Sequence, residues 1–259
     1  MDNVAVCSMC NDSVRRGDLG RYMRQMRETA WPDENLRIYV TEGDSVDDTY
    51  ARLQAWAAED RRVRLSKFDL GAPILGSIED KGRFLRGNTV GAFCRQQAID
   101  DGWADWILWV ESDLIWPPTL VQRLVESAKR LDAGLLVPWV YIRRPEAVCE
   151  AFYPVSGAGT WETDWRSLET LPLAMRAFYD TWAYRYTEDR RFTNYEKRPD
   201  APMQLWSAGS CLMGRMDVVA ASNRVSDQAI VGWCRQAIDA GHTLWLDPAI
   251  HVWHKAVRG

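Results

Sequence analysis

Glu111 and Asp113 stand one residue apart, directly after a run of large apolar side chains, in LWVESDLIWPP. Alternate residues of an extended segment point the same way, so both carboxylates can reach one site. Hard oxygen ligands of this kind suit Mg2+ or Mn2+, ions that also grip phosphate oxygens. A solvated turn leading into a capped helix would use the same two residue types, and the pair alone does not separate these readings. A second acidic cluster, TEGDSVDD, contains Glu42 and Asp44. LDPAIHVWHK carries His251 and His254, two of only three histidines, without the companion cysteines or histidines of a closed zinc site. One imidazole beside a carboxylate and phosphate oxygens favours Mn2+, which accepts nitrogen more readily than Mg2+ does. In RVSDQAIVGW, Asp227 opens a helical pattern, either as an N-cap or as a general base within reach of an attacking hydroxyl.

Positioning these groups falls to alternating strands and helices. NVAVCSMC, LRIYVTEGDS and RRVRLSKFD read as strands. In GDLGRYMRQMRETAWP, Leu19, Tyr22, Met23 and Met26 fall at helical spacing and Pro32 ends the pattern. DDTYARLQAWAAED is a second helix, and residues 69–82, rich in Gly and Pro, form a loop. A helix from about Arg86 to Asp101 carries Val90, Phe93, Cys94 and Ala98 on one face. DWILWV is apolar almost throughout, as a central strand covered on both faces should be. PPTLVQRLVESAKRLDAG is a periodic helix with proline near its start and glycine past its end. Beyond it come a strand in LLVPWVYIRR, an irregular stretch over 143–205, a glycine-broken strand in LWSAGSCLMGR, a helix in SDQAIVGWCRQAIDAG and a final run in TLWLDPAIHVWHK. The helix places Ile230, Trp233, Ala237 and Ile238 on one face. The fold class expected is α/β, with a Rossmann-like, mixed, mostly parallel sheet flanked by helices. Ligands of such sheets settle at the carboxyl ends of strands, where both acidic clusters land.

The 259 residues, 47% of them hydrophobic, suffice for one large core, and no boundary divides 1–259. A net charge of −4 gives no electrostatic footprint for nucleic acid. No apolar run approaches the roughly 18 residues of a membrane span, and MDNVAVCSMC does not read as a signal peptide, so a soluble cytoplasmic protein is expected. Cys7 and Cys10 form a lone CxxC, read as two thiols closing a buried strand rather than as a metal or redox pair. Fourteen tryptophans fill the core and leave some to line a groove for sugar or base stacking.

Five stretches, VAVCSMCND, VTEGDSVDDTYARL, ADWILWVESDLIWPPTLVQRL, WSAGSCLMGR and SDQAIVGWCRQAIDAGHTLWLDPAIHVWH, together resemble the glycosyltransferases of the GT-A fold, in particular the large inverting group that uses nucleotide-sugar donors. The resemblance spans nearly the whole chain except residues 143–205. It implies a nucleotide-binding half over about 1–137 and an acceptor-binding half over about 138–259. It implies that Glu111 and Asp113 correspond to the DxD motif, with Asp113 on the metal and Glu111 on the ribose or the metal's waters. His254, seven residues after Asp247, then completes a Mn2+ (or Mg2+) site, and Asp227 is the base, although Ser226 stands where an acid is usual. Glu42 and Asp44 correspond to the turn that contacts the nucleotide base, with Gly43 replacing an Asp. Arg83 or Arg86 is assigned to the phosphates, and Gly209 to the donor. A uridine diphosphate sugar is the commonest donor of such enzymes, and transfer of a hexosyl or pentosyl group to an acceptor hydroxyl is the implied reaction. Inversion is expected, although some relatives with similar strands retain configuration. The acceptor stays open between glycan, protein, small molecule and modified DNA base. Two other readings compete. A nucleotidyltransferase would share the sheet and the carboxylates but normally has a glycine-rich basic loop where this chain reads CSMCNDSVRRGDLG. An inactive sugar- or nucleic-acid-binding module using the tryptophans would ignore metal.

Overall fold

Strand β1 (Val4–Cys10) is buried almost throughout and lies inside a sheet, with β2 (Leu36–Glu42) on one side. β3 (Val63–Lys67) lies outside β2, and β4 (Trp106–Val110) runs along the other side of β1; all four are mutually parallel. This computed structural model describes residues 1–71, 81–143, 176–178, 184–185, 199–225 and 229–254. The chain moves outward from β1 to β3, then returns to the far side of β1 as β4. Strand order therefore reverses between β1 and β4, and a crevice is expected beyond the carboxyl ends at such a point. β4 is the WILWV run, and all five of its residues are buried.

Past β4 the sheet becomes mixed, as expected. The further strands are β5 (Leu114–Ile115), β6 (Leu135–Arg143), β7 (Arg176–Phe178), β8 (Tyr184–Arg185), β9 (Met203–Ser207), β10 (Cys211–Arg215) and β11 (Leu244–His254). Among the described residues the order is β3-β2-β1-β4-β10-β6-β11-β9-β8, with β5 on β11 and β7 on β6. β10 is antiparallel to β4 and β6, whereas β11 runs parallel to β6.

The helices are α1 (Leu19–Arg27), α2 (Thr49–Glu59), α3 (Lys81–Asp101), α4 (Leu120–Arg130), α5 (Met216–Ser222) and α6 (Ala229–Asp239). They cover both faces of the sheet and make two core clusters. One contains Tyr22, Leu53, Trp56 and Leu124; the other contains Cys94, Ala98, Trp109, Trp139, Trp233 and Trp253. Truncating a buried Trp to Ala costs about 3–5 kcal/mol in such packing. Trp56, Trp109, Trp139, Trp233 and Trp253 thus hold helices to sheet rather than offering a stacking surface. Cys7 and Cys10 fall in different clusters, on opposite faces of β1, because three residues along a strand reverse the side-chain direction. Burial pushes the Cys10 thiol up to about 12, so the CxxC is two inert core thiols.

Several expectations shift. α3 begins at Lys81, five residues before the expected Arg86. The glycine-broken strand is two strands, β9 and β10, separated by Ala208–Ser210. The left-handed residue after α4 is Asp132 (φ 47°), not Gly134. Gly134 is instead a close-approach position, where a Cβ would lie 3.0 Å from that of His242. Of the loop expected over 69–82, residues 72–80 lie outside the described set, as does most of 143–205.

Candidate metal centre beyond the central strand

The backbone that follows β4 is fixed from both sides. Ser8 on β1 donates its hydroxyl to the Val110 carbonyl at 2.8 Å, and Ser112 donates its own to the Met9 carbonyl at 3.0 Å. The Glu111 N–H donates to the Ser210 carbonyl at 3.0 Å, and the Leu114 N–H returns to the Glu111 carbonyl at 3.1 Å, closing a turn around Ser112 and Asp113. β5 then leaves this turn and pairs with the end of β11, His254 opposite Leu114 and Trp253 opposite Ile115. A residue more than a hundred positions away in the chain is thereby set beside the two acids.

His254 Nε2 lies 3.5 Å from Asp113 Oδ2 and 4.0 Å from Glu111 Oε2. One ligand atom from each of the three lies within 4.8 Å of the others. Two ligands at about 2.1–2.2 Å from one octahedral ion stand about 3 Å apart when adjacent and about 4.4 Å when opposite. The observed spacings match that range. The His254 side chain is 3% exposed, while those of Glu111 and Asp113 are 31% and 33% exposed, so the cluster opens to solvent on its carboxylate side. Asp113 Oδ1 is buried and has no hydrogen-bond partner among the described residues. A buried carboxylate oxygen left in that state is costly unless a cation completes it. Two carboxylates and an imidazole fit Mn2+ well and Mg2+ less well.

His251 is directed elsewhere. β11 carries an irregularity between Asp247 and His251, spanning Pro248–Ile250. Buried Asp247 pins it by accepting from the Ala249 N–H at 2.9 Å and from Arg130 at 2.7 Å. His251 Nε2 sits 3.1 Å from the Pro248 carbonyl inside this irregularity. The bulge thus consumes one histidine and sets the register that delivers the other.

The remaining expected residues are distributed as follows. Glu42, at the end of β2, is fully buried; Oε1 accepts from the Ser45 N–H at 2.9 Å, and Oε2 has no partner among the described residues. Asp44 is left-handed (φ 56°), and its carboxylate accepts from the N–H of Leu70 at 3.0 Å and of Gly71 at 2.9 Å. Gly43, where the resemblance implies an acid, is sterically required. A Cβ there would lie 2.5 Å from the Phe68 carbonyl oxygen. Gly209 precedes Ser210, whose carbonyl holds Glu111, so it lies next to the site along the backbone. Arg83 and Arg86 both belong to the first turns of α3; Arg86 is half-buried, and the side chain of Arg83 lies outside the described set. Gly87 beside them approaches Met9, which places this turn near the carboxyl end of β1. Ser226 and Asp227 lie outside the described residues.

Sequence reasoning passed over Ser8, Ser112 and Ser210, which fix the backbone. The sequence offers one signal for them, a serine at position 8 inside the otherwise apolar run VAVCSMC.

No protein-family model matches the sequence, and no curated protein is significantly similar to it. Solved structures share its fold. Residues 1–349 of S. aureus TarS in complex with UDP-GlcNAc align with a TM-score of 0.57 at 11% identity, over 99% of this chain and 59% of that one. The mannosyltransferase PcManGT from Pyrobaculum calidifontis, in complex with GDP-Man and Mn2+, aligns with a TM-score of 0.55 at 11% identity, over 98% of this chain and 56% of that one. The chain therefore spans less than two thirds of either structure. The fold is of the GT-A glycosyltransferase type.

Proposed function

We propose that the chain is a metal-dependent glycosyltransferase that moves a sugar from a nucleoside-diphosphate sugar to an acceptor hydroxyl with inversion. The observation that carries the reading is the meeting of Glu111, Asp113 and His254 at the β1/β4 switch point, with a buried Asp113 oxygen that has no partner among the described residues. Asp113 and His254 would hold Mn2+ (or Mg2+), and Glu111 would reach the donor ribose or a metal-bound water. The ion would supply positive charge to offset the negative charge developing on a diphosphate leaving group. Neighbours of the same fold have been solved with UDP-GlcNAc, and with GDP-Man and Mn2+, which supports a nucleotide-sugar donor, a uridine diphosphate sugar first.

In this reading the residues up to about 137 bind the nucleotide and those from about 138 bind the acceptor. Glu42 serves the base from the end of β2, its buried Oε2 having no hydrogen-bond partner among the described residues. Asp44 shapes the same turn by holding the loop at Leu70 and Gly71. Arg83 or Arg86 serves the phosphates from the start of α3, and Gly209 leaves room for the donor beside Glu111. Asp227 takes the proton from the acceptor hydroxyl as its oxygen attacks the anomeric carbon. The bond from that carbon to the diphosphate breaks, and configuration inverts.

The test is a thermal-shift titration of the full chain with UDP- and GDP-sugars, with Mn2+ and with chelator, followed by product analysis. A bound donor raises the melting temperature by mass action, and this rise is expected only with Mn2+. Turnover should release nucleoside diphosphate, and Asp227→Asn should slow it by about a hundredfold or more. Release of pyrophosphate would make the chain a nucleotidyltransferase. Ligand binding indifferent to chelator would make it a binding module.

A further inference from the structure

The amphipathic stripe of α1 contains the wrong residue types for a simple core face. Asp18 just before the helix, Arg21, Tyr22, Gln25 and Met26 within it, and Thr29 just past it follow one another in alternating steps of three and one, and all are buried. Apolar side chains alone would serve packing on the sheet. Burying an arginine and a glutamine there is costly unless their polar atoms meet specific partners.

Those partners lie on the segment that carries Asp113. Arg21 Nη2 donates to Asp18 Oδ1 at 2.8 Å and to the backbone carbonyl of Asp113 at 3.2 Å. One turn further along the helix, Gln25 Nε2 donates to the Leu114 carbonyl at 3.2 Å, while Gln25 Oε1 accepts from the Trp116 N–H at 3.3 Å. Asp18 balances the guanidinium charge, and one guanidinium nitrogen serves both the Asp18 carboxylate and the Asp113 carbonyl. Peptide groups at 113, 114 and 116 are thereby tied to one rigid helix, on a segment whose other edge pairs with β11 through Leu114 and His254.

We propose that Arg21 and Gln25 are positioning residues of the candidate cation site, fixing the Asp113 backbone so that its carboxylate faces His254. The inference rests on the metal reading above. Neither side chain would touch the ion, and their effect passes through the peptide groups of Asp113–Trp116. Without them, the turn after β4 would keep its hold on β1 through Ser8 and Ser112 but lose the contact that sets the distance between Asp113 and His254. Partners of this kind typically govern about ten- to a hundredfold of metal affinity.

The experiment uses the full chain and Mn2+ alone, without nucleotide sugar, and reads the free-ion electron paramagnetic resonance signal. Arg21→Lys keeps the charge opposite Asp18 but shortens the side chain and loses the guanidinium nitrogen that reaches the Asp113 carbonyl. Gln25→Met keeps the length and loses both hydrogen bonds. Each is expected to weaken Mn2+ binding by about tenfold and to broaden the spectrum of the bound ion. Leu53→Ala is the control: it removes packing beneath α2 in the same core cluster, lowers the melting temperature and leaves Mn2+ affinity unchanged. Should Arg21→Lys fail to fold, Gln25→Met decides. Wild-type affinity in a folded Gln25→Met chain, or an equal loss in Leu53→Ala, would overturn the positioning role while leaving the cation site intact. Absence of Mn2+ binding by the unaltered chain would overturn the cation site, and the positioning role with it.

Discussion

Two strand ends in this molecule carry clustered acids, and they use them differently. Beyond β2, the carboxylates are occupied by the chain itself. Asp44 holds the N–H groups of Leu70 and Gly71, Asp47 accepts from Thr49 and from the Arg15 N–H, and Asp12, just past β1, accepts from the Val46 N–H of the same turn. Beyond β4, Asp113 leaves a buried oxygen without a partner among the described residues and faces an imidazole from the other end of the chain. The first cluster shapes a loop, and the second has the spacing an ion would need. A carboxylate that already accepts good hydrogen bonds has little to offer a ligand. A cation site needs acids whose lone pairs the fold leaves unspent. Glu42 belongs to the first region by position and resembles Asp113 in its chemistry, because its Oε2 is buried without a partner among the described residues.

The sharpest way to break the comparison is to remove the acid from each end. Asp113→Ala should weaken Mn2+ binding by about a hundredfold or more. It should leave the melting temperature unchanged or raise it, because a buried oxygen without a partner among the described residues is removed and repulsion from the nearby Glu111 carboxylate is relieved. A large stability loss in Asp113→Ala would mean that this carboxylate is structural. Asp44→Ala should do the reverse, lowering stability by about 1–3 kcal/mol in chemical denaturation, since two backbone N–H groups lose a charged acceptor. Mn2+ affinity should stay at its wild-type value.

The smallest effect concerns pH. Burial pushes the Asp47 carboxyl up, but the Thr49 hydroxyl and the N–H groups of Arg15 and Thr49 outweigh it and hold the group below its ordinary value. A depressed carboxyl contributes stability above its unfolded value, near 3.9, and loses it as pH falls through the folded one. Asp47→Asn should therefore make the acid-side loss of stability slightly shallower below about pH 4, measured by denaturation across pH. Equal slopes for the two chains would show that Asp47 gains nothing from these bonds.

Much of this was legible in the residues. Short apolar runs locate β1, β2 and β4, which are covered on both faces, and helical patterns locate α1, α2 and α4, where burial of one face imposes the spacing. α3 is longer than its pattern suggests, since its first turn, from Lys81, lacks the apolar stripe. α5 carries only seven residues and went unread. Arg21 and Gln25 interrupt an apolar stripe, a visible irregularity whose meaning depends on a segment some ninety residues further along. The glycine at 43 looked like a lost ligand, and only the approach of Phe68 explains why nothing larger fits.

By itself, the sequence determined the alternation of strands and helices, the buried central strand and the pair of acids that ends it, all properties set by neighbours in the chain. Only the tertiary structure decided which acids meet beyond β4 and which histidine joins them. Those choices depend on the pairing of β5 with β11 and on a bulge at Asp247, and hydrogen bonds between distant segments leave no local period to read.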